Sequence, residues 1–258
     1  MTAGCEARYG NAMPATPAWP PQSTPRLFVE TELAPGPLRV EGPQAHYLIQ
    51  VMRLKTGDPV KLFDDLTGEW LGVTQAVGKR DLVLDVSGKL REREAVPDLW
   101  LCAAPIRKGR IDWVAEKACE LGVARLAPVL TRRAVVDKLN LDRLRSHMIE
   151  AAEQCGRTAL PELVEPVKLP AMLRDWPVGR ALFFADETGG APALEAMRAN
   201  RGPAAILIGP EGGFDAEERE AIRAHPQAVG IALGPRILRA ETAAAAAVSL
   251  WMGAAGDW

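Results

Sequence analysis

From Leu99 onward the chain alternates short, uninterrupted apolar runs with stretches of helical periodicity, and this alternation restricts the fold more than any other feature. The runs are Leu99-Trp-Leu-Cys-Ala-Ala104, Ala124-Arg-Leu-Ala-Pro-Val-Leu130, Ala181-Leu-Phe-Phe-Ala185, Ala204-Ala-Ile-Leu-Ile208 and Val229-Gly-Ile-Ala-Leu233. A strand with no polar alternation is buried on both faces, and parallel neighbours need a crossover, usually a helix. Helical spacing fills the intervals. Ile111, Val114, Ala115, Ala118 and Leu121 recur before Gly122, and Leu141, Leu144, Met148, Ala151, Ala152 and Cys155 recur before Gly156. A glycine just past the last apolar residue is a helix stop. A further helix is predicted from Asp215 to about Ala224, and an Ala-rich one from Glu241 to Gly253. Residues 99–258 therefore predict an α/β domain with a mostly parallel sheet covered on both faces.

The preceding part reads differently. Residues 26–91 carry short alternating strands at Arg26–Glu30, Pro59–Asp64, Glu69–Val77 and Asp81–Val86, around one helix that begins at Pro43. Thr67-Gly68 and Gly78-Lys79 are turn signals. Close-spaced strands around one helix predict a small barrel. Residues 92–98 are charged and contain a proline, as a linker would. Residues 1–25 hold five prolines and several alanines and predict a disordered tail, with Met13 as another available start.

Composition removes several classes. No apolar run is long enough to span a membrane, and no basic-then-apolar leader opens the chain. Cys5, Cys102, Cys119 and Cys155 form no CxxC pair and the three histidines are scattered, so neither a metal site nor a disulfide framework is expected. This usage suits a reducing, cytoplasmic setting. The net charge of −2 advertises no nucleic-acid partner, but its distribution is uneven. Residues 99–160 carry 11 Lys and Arg against 7 Asp and Glu, whereas residues 161–258 carry 9 against 13. A basic middle suits a phosphate backbone, although charge blocks of this size are also ordinary solvated faces.

Two segments carry the candidate chemistry. The first is Gly209-Pro-Glu-Gly-Gly213, which follows an apolar strand and precedes a helix opened by Asp215 and Glu218 in capping-box spacing. Glycines let backbone approach a ligand, and a helix N-terminus adds free N–H groups. The second is Leu233-Gly-Pro-Arg-Ile-Leu-Arg239, before Glu241-Thr242, where Thr242 is positioned to cap the last helix. Ile237 and Leu238 are apolar in what should be an exposed connection, as if wrapping something flat. Each loop alone reads equally well as a tight turn. Both after strands of one parallel sheet favour a shared pocket, since ligands bind at the carboxyl ends of such strands. Neither GxGxxG nor GxxxxGK[ST] is present, which argues against dinucleotide and P-loop sites.

These segments resemble the cofactor loops of the SPOUT superfamily of RNA methyltransferases, in particular the RsmE family. Glu116-Lys-Ala-Cys-Glu-Leu-Gly-Val123, Ala152-Glu-Gln-Cys-Gly-Arg157 and His46-Tyr-Leu-Ile-Gln-Val-Met-Arg53 with Gly57-Asp58 extend the likeness from Arg26 to about Ala255. The resemblance implies a PUA-like β-barrel domain over 26–91 and a SPOUT domain with a trefoil knot over 99–258. It implies a homodimer and S-adenosylmethionine-dependent methylation of uridine N3 in bacterial 16S ribosomal RNA, in the decoding region of the small subunit. It places the cofactor against Gly209, Glu211, Gly212, Leu233, Gly234, Ile237, Leu238 and Thr242, with Ala185 and Leu207 as walls.

Uridine N3 carries a proton at neutral pH, so a base or an anion-stabilising group is needed. Arg157, Gln154 and Glu153 at the end of one predicted helix are catalytic candidates, as are Arg239 and Glu241. Arg107, Lys108, Arg110, Arg132, Arg133, Arg53 and Lys55 are candidate phosphate contacts. A ribose 2′-hydroxyl acceptor, a non-catalytic RNA-binding assembly factor and a nucleotide-dependent α/β enzyme are the competing readings.

Overall fold

The computed structural model describes residues 24–134, 136 and 138–258. The tail expected over residues 1–25 lies almost wholly outside them. The chain forms two compact units that divide between Glu92 and Arg93.

The first unit contains β1 (Arg26–Phe28), β2 (Gly36–Glu41), α1 (Gly42–His46) running into a π-helical turn (Tyr47–Val51), then β3 (Pro59–Phe63), β4 (Glu69–Val77) and β5 (Asp81–Arg91). The strand order is β1-β3-β4-β5-β2, antiparallel except for β1 with β3. Strand β2 is absent from the sequence reading. Its Gly-Pro-Leu-Arg-Val-Glu exposes alternate residues and supplies only Val40 as a buried side chain, so the hydrophobic signal is thin. Register shifts between β4 and β5 curl the sheet. Its apolar face closes on Ala45 and Leu48 of the helical segment, with Leu27, Val60, Leu62, Leu82 and Leu84 fully packed around them.

The second unit begins with residues 93–98. The stretch read as a linker is fastened from Glu94 onward. The Glu94 carboxylate accepts from Arg157 Nε at 3.1 Å and from the Thr158 and Ala159 amides, and Asp98 pairs with Arg180 at 2.7 Å. There follow β6 (Leu99–Ala103), α2 (Arg110–Glu120), β7 (Arg125–Leu130), α3 (Leu141–Cys155), β8 (Glu162–Leu163), β9 (Val167–Lys168), α4 (Leu169–Arg174), β10 (Ala181–Ala185), β11 (Ala191–Pro192), α5 (Ala193–Ala199), β12 (Ala204–Ile208), α6 (Ala216–Ala224), β13 (Ala228–Ala232) and α7 (Ala240–Ala255).

The sheet is parallel throughout, in the order β11-β13-β10-β12-β6-β7-β8, with β9 also beside β7. The five apolar runs are the central strands. Helices α4 and α5 and the two-residue strands are too short to leave a periodic signal. Helix α3 starts where the Asn140 side chain accepts from the Arg143 amide and stops at Gly156, whose φ of 85° is left-handed. A side chain there would oppose the backbone, which is why glycine closes the helix. Helix α6 has the expected reciprocal cap between Asp215 and Glu218. Helix α7 does not begin as expected. Arg239 is its N-cap and makes no side-chain cap, and Thr242 is an exposed residue of the first turn. Among the described residues no helix is long and apolar enough to cross a membrane, and no cluster of three or more His, Cys, Asp or Glu is placed to hold a metal.

Candidate functional site

Strands β13, β10 and β12 are neighbours, so the three loops at their carboxyl ends converge. They enclose a cavity of about 410 Å³, within the range of small-molecule sites. The β12 loop contributes Gly209, Pro210, Glu211 and Gly213, and the β13 loop contributes Leu233 to Arg239. The end of β10 and the loop after it contribute Ala185, Asp186, Glu187 and Gly189. Ile208, Phe214, Ile231 and Ala243 complete an apolar lining.

Of the expected cofactor residues, the structure gathers Ala185, Gly209, Glu211, Leu233, Gly234, Ile237 and Leu238 around this cavity. Ile237 is 94% exposed, an apolar side chain in water beside an apolar slot. Gly234 has a φ of 105° and open space where a Cβ would stand. Only glycine holds that backbone cheaply.

Three of the expected cofactor residues lie outside this lining. Leu207 is no wall of the cavity: it is wholly buried with Cys102, Phe184 and Phe214 in the sheet core. Successive strand residues point to opposite faces, so Ile208 takes the cavity position instead. Gly212 does not line the cavity, and its carbonyl accepts from Arg133 Nη1 at 2.8 Å. Thr242 also stands outside the lining, because α7 presents Ala240 and Ala243 there.

The catalytic candidates separate in the same way. Arg157 is buried, and its guanidinium donates to the carbonyls of Cys119 at 2.7 Å and Val123 at 2.8 Å and pairs with Glu94. These contacts hold the end of α2, and Arg157, Gln154 and Glu153 are not among the residues lining the cavity. Arg239 does line it, together with Arg236 and Arg219.

Of this region the sequence offered only Ala185, and not the loop that follows it. Asp186 is buried on the cavity wall, where it accepts from the Thr188 amide and hydroxyl and pairs with Arg223. Burial works to raise its pKa, but the Arg223 and Thr188 hydrogen bonds outweigh burial and hold it below the usual carboxylate value. Glu187 pairs with Arg219 at 2.7 Å. Asp-Glu-Thr-Gly-Gly after an apolar run was the available signal, but on sequence it is an ordinary turn.

The basic residues serve different ends. Arg132 pairs with Asp215 at 3.0 Å and with Glu217, at the start of α6. Arg110 faces Glu211 and Glu241. Arg107 and Lys108 are exposed in the turn before α2. In the first unit Arg53 and Lys55 are exposed just after the π-helical turn, with the Lys55 amide fixed by Asp58 at 2.7 Å.

Comparison with known proteins agrees with this architecture. Residues 92–252 match the RNA methyltransferase domain family, and residues 40–87 match the RNA methyltransferase PUA domain. The chain is 30% identical to ribosomal RNA small subunit methyltransferase E of Helicobacter pylori, over 74% of this chain and 85% of that protein. It is 28% identical to the protein of that name from Rickettsia conorii, over 87% and 93%. A methyltransferase structure from Legionella pneumophila with SAM bound superposes with a TM-score of 0.81 at 29% identity, covering 91% of this chain and 99% of that one. The fold is thus an α/β SPOUT-type parallel-sheet domain preceded by a PUA-like domain. This chain belongs to the RNA methyltransferase family that includes the ribosomal RNA small subunit methyltransferase E proteins.

Proposed function

We propose that the protein methylates N3 of a uridine in bacterial 16S ribosomal RNA with S-adenosylmethionine as donor. The observation that carries this reading is the cavity formed by the carboxyl-end loops of β10, β12 and β13, set in a chain of this family. The lining fits such a donor. Ile208, Ile231, Ile237 and Leu238 offer apolar contact to an adenine ring, Asp186, Glu187 and Glu211 suit its hydroxyls and positive charges, and arginines at the rim suit its carboxylate.

When bound, the donor presents an electrophilic methyl for in-line displacement by N3. The chain's own work is to orient, to exclude water and to stabilise charge. Loss of the N3 proton leaves negative charge on the uracil oxygens, and Arg236 and Arg239 on the lining bring positive charge to that side. Holding donor and acceptor in line supplies much of the remaining rate. Near the end of α3, Glu153 remains a candidate to take the proton and Gln154 a candidate to hydrogen-bond the uracil anion. Arg107, Lys108, Arg53 and Lys55 are the proposed phosphate contacts, exposed as such a role requires. We further propose a knotted path through the β13 loop into α7, a homodimer, action on the small subunit, and a cytoplasmic location, all supported by family membership.

The test is methyl transfer from labelled S-adenosylmethionine to small subunits from cells lacking this protein, with free RNA in parallel and the nucleoside identified by mass spectrometry. 3-Methyluridine is the expected product. A 2′-O-methylated nucleoside, or no cofactor binding by calorimetry, would overturn the reading.

A further inference from the structure

Arg110 occupies a place that phosphate contact does not explain. Its Nη1 lies 3.6 Å from Glu211 Oε1 and its Nε lies 3.6 Å from Glu241 Oε1. Glu211 belongs to the β12 loop and lines the cavity, while Glu241 stands in the first turn of α7, directly after the β13 loop. The other carboxylate oxygen of Glu241 is buried and has no hydrogen-bond partner. One guanidinium therefore lies between two loops that leave different strands and enclose the same cavity.

The backbone of Arg110 is well fixed. It is the first residue of α2, its amide donates to the Arg107 carbonyl at 3.0 Å, and the Gly109 amide donates to Asp112 Oδ2 at 3.0 Å. Asp112 is itself ion-paired to Arg143 of α3. Neighbouring Arg107 and Lys108 are exposed, whereas Arg110 is partly covered. Both separations exceed hydrogen-bond length, so the charge is shared between the carboxylates rather than committed to one. A planar fork can span two carboxylates, which a lysine point charge cannot do as well. Without it, two carboxylates would face one another across the junction of the loops. Partly exposed ion pairs add little to folding stability, so the consequence should appear in binding.

We propose that Arg110 is a positioning residue that clamps the β12 loop to the start of α7 and so sets the affinity of the cavity for its cationic nucleoside cofactor. This rests on the cofactor reading above. The experiment is calorimetric titration of S-adenosylmethionine into wild type, Arg110→Ala, Arg110→Lys, Glu241→Gln and the Arg110→Ala/Glu241→Gln double variant, with melting of each ligand-free protein. Arg110→Ala should weaken binding about tenfold, the size of effect a residue acting through its neighbours can have, with an unchanged melting temperature. Arg110→Lys should recover part of the loss. The double variant should lose less than the sum of the singles, since both break one clamp. In turnover assays KM for the cofactor should rise while the salt dependence of RNA binding stays at the wild-type slope. Wild-type cofactor affinity with a flattened salt slope would make Arg110 a phosphate contact and overturn the clamp. Additive losses, or a fall in melting that parallels the loss of affinity, would overturn it as well. Failure of the wild type itself to bind S-adenosylmethionine would remove the cofactor reading, a result distinct from these.

Discussion

The two units place their acidic side chains differently. In the β-rich unit, Asp64 is consumed internally: it accepts from the amides of Leu33, Leu66 and Thr67 and from the Thr67 hydroxyl. Glu69 is held between Arg26 and Arg91. In the α/β unit, Asp186, Glu187 and Glu211 stand round a cavity. The difference follows from strand direction. Antiparallel neighbours are joined by tight turns whose polar groups must be satisfied at once. Parallel neighbours send each crossover back to the opposite edge, so their carboxyl ends stay open for a ligand.

The comparison can be broken most sharply at Asp64. Asp64→Ala leaves three amides and a hydroxyl without their acceptor, and about 4 kcal/mol of the first unit's stability should go with it. Hydrogen exchange at Leu33, Leu66 and Thr67 reads this directly; protection at the wild-type level would show that the carboxylate organises nothing. Arg157→Ala tests the other unit. Two buried carbonyls and Glu94 lose their donor, at a cost of about 3 kcal/mol in urea unfolding. Full stability with lost turnover would return Arg157 to the reaction.

Arg107→Ala/Lys108→Ala bears on the exposed basic turn. It should lower the slope of log affinity for RNA against log salt by roughly 0.7 to 0.9 per charge removed, with cofactor affinity unaltered. An unchanged slope would remove this surface from the interface.

The smallest effect is the acid response. Asp64, Glu69 and Asp186 all have folded pKa values below their ordinary ones, 3.8 for aspartate and 4.5 for glutamate, because hydrogen bonds and arginines outweigh burial. A lowered folded value means stability that is full above the ordinary pKa and lost as pH falls through the folded one. Unfolding free energy should therefore decline from about pH 5 downward. Asp64→Asn should flatten part of that decline in a pH series of urea titrations, and a profile identical to wild type would exclude Asp64 as a contributor.

Local chemistry made much of this legible in the sequence. The five apolar runs became the central strands, Gly156 ended α3, and Asp215 with Glu218 capped α6. The same holds for Gly209, Gly234 and Ile237, whose unusual residue types mark ligand-type loops. Each of these depends on neighbours within a few residues, so the linear order carries it.

What the linear order could not carry was decided by which segments become neighbours. Strand parity turned Leu207 into the core and Ile208 toward the cavity. Placement of β10 between β12 and β13 made an unremarked Asp186-Glu187 turn part of the wall. Packing α3 against α2 drew Arg157 onto two carbonyls, and convergence of two loops on the start of α2 put Arg110 between Glu211 and Glu241. Charge and hydrogen bonding act over a few ångströms of space, and only the tertiary structure sets which distant residues fall within that reach.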